Sequence, residues 1–154
     1  MSREIKFRGK DINADEWVYG AFIPDAIEPT HGNMVTWGFI RRHNKETRKM
    51  ETIEVDRETV GQFTGLKDSK NGREIYEGDI CKYWMDRVWK YGYVFWSQGG
   101  FALKVFRMGE KTVDVVFKFQ AFIPVPDDGE TMTDQFEVIG NIYDNPELLE
   151  GVAG

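Results

Sequence analysis

Val60-Gly-Gln-Phe-Thr-Gly-Leu-Lys-Asp-Ser-Lys-Asn-Gly-Arg-Glu-Ile-Tyr-Glu-Gly-Asp-Ile80 is the stretch that decides the fold. Phe63 and Thr64 are β-formers, and Gly65 interrupts them. The run from Leu66 to Gly72 is polar apart from Leu66 and closes on Asn71-Gly72. A type I′ hairpin turn prefers that pair, because both central residues need positive φ. Arg73-Glu-Ile-Tyr-Glu returns as a strand with imperfect alternation. Gly78-Asp79 makes a second tight corner, and Ile80-Cys-Lys-Tyr-Trp leaves it as another strand. Small SH3-like barrels are commonly entered through such a glycine-aspartate corner.

On the N-terminal side, Ile5, Phe7 and Gly9 alternate with Glu4, Lys6 and Arg8, which predicts a strand over residues 3–9. A polar turn from Lys10 to Glu16 leads to the apolar run Trp17 to Ile23, ended by Pro24, and the pair reads as a hairpin. A loop over residues 25–34 precedes a short strand from Val35 to Ile40. Arg41 to Lys49 is a basic turn region, and alternation resumes from Met50 to Val55. Asp56-Arg-Glu-Thr is expected to begin one turn of helix with Asp56 as its N-cap.

On the C-terminal side, residues 83–96 are the most aromatic part of the chain. Further strands are expected over Phe101 to Phe106, Val113 to Ile123 and Phe136 to Tyr143, with an acidic loop at 127–135. Asp144-Asn145-Pro146-Glu-Leu-Leu-Glu offers a cap, a proline for the first helical position and an early acid, so it predicts a short terminal helix.

Composition narrows the class. The 154 residues suit one domain or two small subdomains, and 41% hydrophobic with 30% charged residues is globular. One cysteine, Cys81, allows no internal disulfide and points to a reducing compartment. Charges near Met1 stand where a signal peptide needs an apolar run, so export is not expected. The net charge is −6, and residues 127–154 hold eight acids and no Lys or Arg. A near-neutral body with an acidic end does not suit a general duplex-DNA binder, which needs a basic face to displace counterions.

Three segments resemble the phage and prophage YopX protein family. They are Ile5-Lys-Phe-Arg-Gly-Lys with Glu16-Trp-Val-Tyr-Gly; Thr59 to Asp68 with Asn71 to Ile80; and Glu137 to Leu149. They lie in the family's order across nearly the whole chain. The resemblance implies a β-rich protein with a small SH3-like barrel, encoded by a phage or prophage and acting in a bacterial cytoplasm. It implies no activity. The shared residues are mostly glycine, turn and apolar types, which marks them as fold determinants, with Gly65, Gly72, Gly78 and Gly140 supplying backbone freedom.

A search for chemistry finds little. His31 and His43 are twelve residues apart and match no zinc spacing with Cys81. Cys81 reads as a plain strand cysteine. Glu74, Glu77 and Asp79 could do acid–base work. The corner glycine makes a turn-capping role for Asp79 the favoured reading. The glycines make no phosphate loop. One constellation carries charge: Lys82, Arg87 and Lys90 interleaved with Tyr83, Trp84, Trp89, Tyr91, Tyr93 and Trp96. Basic groups between rings can track a single nucleic-acid strand. Arg41, Arg42, Lys45, Arg48 and Lys49 could extend such a face. A small barrel also needs bulky fillers, with alternate aromatics inside and charges outside, and that reading is favoured. A partner surface is a third option.

The expected protein is therefore mainly β. A β-hairpin or meander over residues 1–58 precedes an SH3-like barrel over 59–150, a short C-terminal helix and a tail at 151–154. It is expected to be a non-enzymatic accessory protein that binds a phage or host protein or a second copy of itself. No catalytic, cofactor or metal residues are assigned and no membrane is expected. Lys82, Trp84, Arg87, Trp89, Lys90 and Tyr91 are the candidate partner or single-strand surface.

Overall fold

A computed structural model describes residues 4–24, 37–68, 70–85, 87–97, 99–106, 115–118 and 136–149. The strands are β1 (Phe7–Asp11), β2 (Trp17–Pro24), β3 (Trp37–Asn44), β4 (Lys49–Lys67), β5 (Glu74–Tyr76), β6 (Asp79–Met85), β7 (Val88–Ser97), β8 (Gly100–Phe106), β9 (Val115–Lys118) and β10 (Phe136–Asn141). The protein is mainly β, and every described strand pairing with a resolved register is antiparallel. The chain divides into two compact units, Met1–Phe63 and Thr64–Gly154.

In the first unit β1 to β4 pair in chain order, and β1 also pairs with β4, so the strand pairings close into a ring. Val18, Ile40 and Val55 fill its interior, with Phe7, Phe22, Ile53 and Val60 against them. Gly20 allows the close approach of β2 to β3, since a side chain there would strike the Arg41 carbonyl. The expected β1–β2 hairpin forms, with Gly9 opposite Val18.

The helical turn expected at Asp56 is instead an irregularity within the long strand β4. The register with β1 jumps from Arg8↔Gly61 to Lys10↔Asp56. The local hydrogen bonds are those of a helix start: the Glu58 N–H donates to Asp56 Oδ1, and the Thr59 hydroxyl donates to the Asp56 carbonyl. Thr59 Oγ1 also accepts the Lys10 N–H, which draws the segment back into the sheet. Tertiary pairing overrides the local helical signal here.

In the second unit the strand order is β10-β6-β7-β8-β9, which is open among the described residues. These pairings do not by themselves close a barrel. One face of this sheet carries Cys81, Tyr83, Val94, Leu103, Phe136 and Val138, packed with Ile75 and Leu66. Burying each large apolar side chain in such a cluster contributes about 1.5–3 kcal/mol relative to leaving it exposed.

The expected type I′ turn at Asn71-Gly72 is a longer loop. Only Gly72 of the pair has positive φ, at 65°. The Asp68 N–H donates to the Arg73 carbonyl and the Gly72 N–H to the Asp68 carbonyl. The Asp68 carboxylate, 3% exposed, accepts N–H bonds from Asn71, Arg73 and Val138. The expected terminal helix is a single 3-10 turn, Pro146–Leu148. Asn145 does not cap it, because its Oδ1 accepts the Asn141 N–H instead. The expected loop at 25–34, strand at 113–123, acidic loop at 127–135 and tail lie wholly or partly outside the described residues.

Burial pushes the Tyr83 hydroxyl pKa up from 10.0 to about 12, with Cys81 adding to the shift. An acid whose folded pKa is raised favours the native state while it stays protonated. That contribution is complete below pH 10.0 and is lost as pH rises toward about 12. Tyr83→Phe is expected to flatten the stability profile over this window. Urea midpoints taken across it check this, and equal alkaline losses in both proteins would count against it.

Candidate recognition face on the second sheet

The β6–β7 hairpin decides which aromatics are core. Register pairs Cys81 with Gly92 and Tyr83 with Lys90, and it pairs Lys82 with Tyr91 and Trp84 with Trp89. Successive side chains alternate between sheet faces, so these pairs sort into two sets. Cys81 and Tyr83 lie on the core side, and register puts Lys90 with them. Lys82, Trp84, Trp89 and Tyr91 lie on the other side. The β7–β8 register adds Tyr93 opposite Lys104 and Phe95 opposite Ala102 to that side. Arg87 occupies the hairpin turn, exposed and with φ 63°.

The outer face is therefore aromatic and cationic rather than simply polar. Trp84 is 37% exposed and Trp89 43%, and their rings meet edge to face at 5.2 Å. Lys82 Nζ stands 4.2 Å from the Trp89 ring centroid. A cation held this way gains about 0.5–1 kcal/mol at an exposed site. Tyr93 and Phe95 meet at 6.0 Å between ring centroids with a 53° tilt. Glu137 of β10 stands opposite Lys82 and pairs with Lys70 at 3.2 Å. The expected sorting of aromatics inside and charges outside holds for Tyr83 but not for Trp84 and Trp89. A two-residue hairpin turn sets the parity, and both faces of this hairpin are aromatic.

Of the six residues singled out from sequence, Lys82, Trp84, Trp89 and Tyr91 share this face, Arg87 borders it, and Lys90 is placed on the other side by register. Lys104 and Phe95 join the face without having been singled out. The alternation Phe101-Ala-Leu-Lys-Val-Phe was the signal for Lys104, since Phe101 and Leu103 pack in the core. Trp96, 50% exposed, pairs with Phe101 at 4.9 Å and lies on the core side of the register.

The other candidate chemistry separates. Asp79 is 1% exposed, and its Oδ2 accepts the Tyr76 N–H across the Gly78 corner, as a turn-capping aspartate should. Cys81 is buried in the core cluster. His43 is an exposed residue of β3, and His31 lies outside the described residues. Among the described residues no group of three or more His, Cys, Asp or Glu side chains is placed to hold a metal ion. The basic set at 41–49 belongs to the first unit, where Arg42 Nε donates to Glu51 at 2.7 Å. Hydrogen bonds from Arg42 and Asn44 lower the Glu51 pKa.

The first unit has a cation–aromatic set that sequence reasoning missed. Arg8, 3% exposed, lies 4.5 Å from the Trp17 ring centroid, and Lys10 reaches the same ring at 5.5 Å. Lys10 also pairs with Asp15. This set belongs to the structure of β1 and β2, whereas the β6–β7 rings face outward.

No helix among the described residues is long and apolar enough to cross a membrane. No curated protein matches this chain. A crystal structure of protein EF1440 from Enterococcus faecalis is similar, with 26% identity and a TM-score of 0.51 over 97% of this chain and 100% of that one. The YopX protein family matches residues 6–150, the span that contains both strand systems and the Gly78, Asp79 and Asn141 corners. This chain belongs to the YopX protein family.

Proposed function

We propose that this chain is a non-enzymatic recognition module that works through the outer face of the β6–β8 sheet. The observation that carries the reading is the exposure of Trp84 and Trp89 beside Lys82 on a sheet whose opposite face already holds the core. Large exposed rings flanked by cations suit the centre of an interface, where Trp, Tyr and Arg dominate binding energy. The commitment of Asp79 to its corner removes one member of the loose carboxylate set Glu74, Glu77 and Asp79. That supports recognition over catalysis. Family membership supports a phage or prophage setting in a bacterial cytoplasm, with a phage or host macromolecule as partner. A second copy is a less favoured partner through the β10 edge, because the Val138 N–H there is already bonded to Asp68.

Site-specific photo-cross-linking in the host cell tests the reading. A photoreactive residue at position 89 is expected to capture a discrete partner, and one at Glu46 in the β3–β4 turn is not. Equal yields at the two positions would remove the face from consideration.

A further inference from the structure

We infer that the occupant of this face is single-stranded nucleic acid, with bases stacking on Trp89, Tyr91 and Tyr93 and phosphates meeting Lys82 and Lys104. This deepens the recognition reading above and rests on it. The first argument is charge. Although the whole chain is acidic, and its second unit holds fifteen Asp and Glu against ten Lys and Arg, the part of that unit over residues 64–126 holds all ten of those cations against seven of the acids. Two of those acids, Asp68 and Asp79, are buried in hydrogen bonds to backbone N–H groups. The acid that register places beside Lys82, Glu137, is paired with Lys70. The face thus presents cations among rings.

The second argument is shape. Same-face residues along β7 repeat at about 6.8 Å, twice the about 3.4 Å rise between bases of a helical strand. A strand lying along Trp89, Tyr91 and Tyr93 must therefore be extended, one base to a ring. Duplex bases are already stacked and cannot reach such rings, so the face selects unpaired strands. Lys104, opposite Tyr93, and Lys82, opposite Tyr91, stand beside the ring row where a backbone would pass. An acidic peptide would satisfy the cations but would leave the rings without flat partners.

The experiment is fluorescence anisotropy on the full chain with labelled homothymidine and homouridine strands of about twelve nucleotides, a size within the range of known single-strand folds. A duplex and a polyglutamate peptide serve as comparators, at low and moderate salt. Single strands are expected to bind with strong salt dependence, and the duplex and peptide at least tenfold more weakly. Trp89→Ala is expected to cost about tenfold or more in affinity. Lys82→Ala should reduce the slope of log K against log salt by about 0.7. Trp96→Ala, exposed but on the other side of the sheet, should leave affinity unchanged, and circular dichroism melts confirm that each variant is folded. Single-strand binding that is absent, or indifferent to Trp89 and Lys82, overturns the inference. If the peptide binds instead and Trp89→Ala abolishes it, or if position 89 cross-links only to protein, the face remains a recognition surface and the nucleic-acid assignment fails. If Trp89→Ala changes no binding and position 89 gives no cross-link above Glu46, both fail.

Discussion

Replacing Asp68 with alanine is expected to destabilise the protein by about 3–5 kcal/mol, among the largest effects of any polar substitution in the chain. One carboxylate oxygen accepts the N–H groups of Asn71 at 2.8 Å and Arg73 at 3.1 Å; the other accepts that of Val138 at 3.1 Å. Truncation leaves all three donors without this acceptor. Water can reach the two loop donors, but the bond to Val138 is buried, and an unmet buried donor costs about 1–3 kcal/mol. The loss of loop order adds to this. Asp68→Asn is the sharper variant. Its amide oxygen can serve one side only, and its NH2 then meets the N–H groups on the other. A loss of about 1–3 kcal/mol is expected, intermediate between parent and alanine. The contrast is Lys70→Ala, which breaks the pair with Glu137 on the same strand but removes a lysine side chain that is 63% exposed. An exposed pair of this kind is worth about 0.2–1 kcal/mol at most. Urea unfolding at constant m reads all three. Asp68→Ala and Lys70→Ala with the same midpoint would falsify the assignment of Asp68 as the clasp between the 68–73 loop and β10.

The residues that carry the family likeness have physical roles in this structure, and the roles are structural. Asn141 Oδ1 accepts the N–H groups of Tyr143 and Asp144, and Asn145 Oδ1 accepts that of Asn141. Gly140 has no room for a side chain because Asn145 lies against it. Thr64 Oγ1 donates to the Ile75 carbonyl at 2.8 Å and accepts the Leu66 N–H, holding β5 against the end of β4. A family defined by such positions shares a scaffold.

Local signals were legible in sequence and long-range ones were not. The Gly78-Asp79 corner could be read because glycine, turn aspartate and flanking strands lie within a few residues. The clasp at Asp68 could not, because its partner Val138 is 70 residues away and an aspartate in a polar loop looks like any other. The ring closure of the first unit was hidden in the same way. β4 runs 19 residues, and Asp56-Arg-Glu-Thr within it carries a helix-start signal that pairing with β1 overrides. Arg8 alternates as a polar strand position in the sequence, and nothing local says that Trp17 will cover it. The 82–96 stretch was ambiguous for a different reason. Alternation sorts its residues into two sets, but both sets contain large rings, so hydrophobicity could not say which set faces the core. The contact of Tyr83 with Phe136, at 6.0 Å, decides it.

Gly78→Ala is expected to cost about 2–4 kcal/mol, whereas Gly72→Ala should cost only about 1 kcal/mol, although both glycines have positive φ. The backbone term is shared: φ is 88° at Gly78 and 65° at Gly72, and an L-residue there costs about 1–2 kcal/mol. The surroundings differ. A side chain at Gly72 meets nothing within 4 Å, while one at Gly78 comes 2.9 Å from the Tyr143 ring. The Gly78 backbone cannot shift to relieve that contact. Its N–H donates to the Val94 carbonyl and its carbonyl accepts the Ile142 N–H, both at 2.8 Å, so movement would loosen β7 and the turn after β10 together. Overpacking of this kind typically adds about 1–3 kcal/mol. A double-mutant cycle isolates it. In a Tyr143→Ala background the Gly78→Ala cost should fall toward that of Gly72→Ala, leaving the backbone term alone. If the cost is undiminished in that background, the ring is not the obstacle and the corner is held by backbone geometry only. If the two glycine variants are equal in the parent, the Tyr143 ring does not obstruct a side chain at the corner.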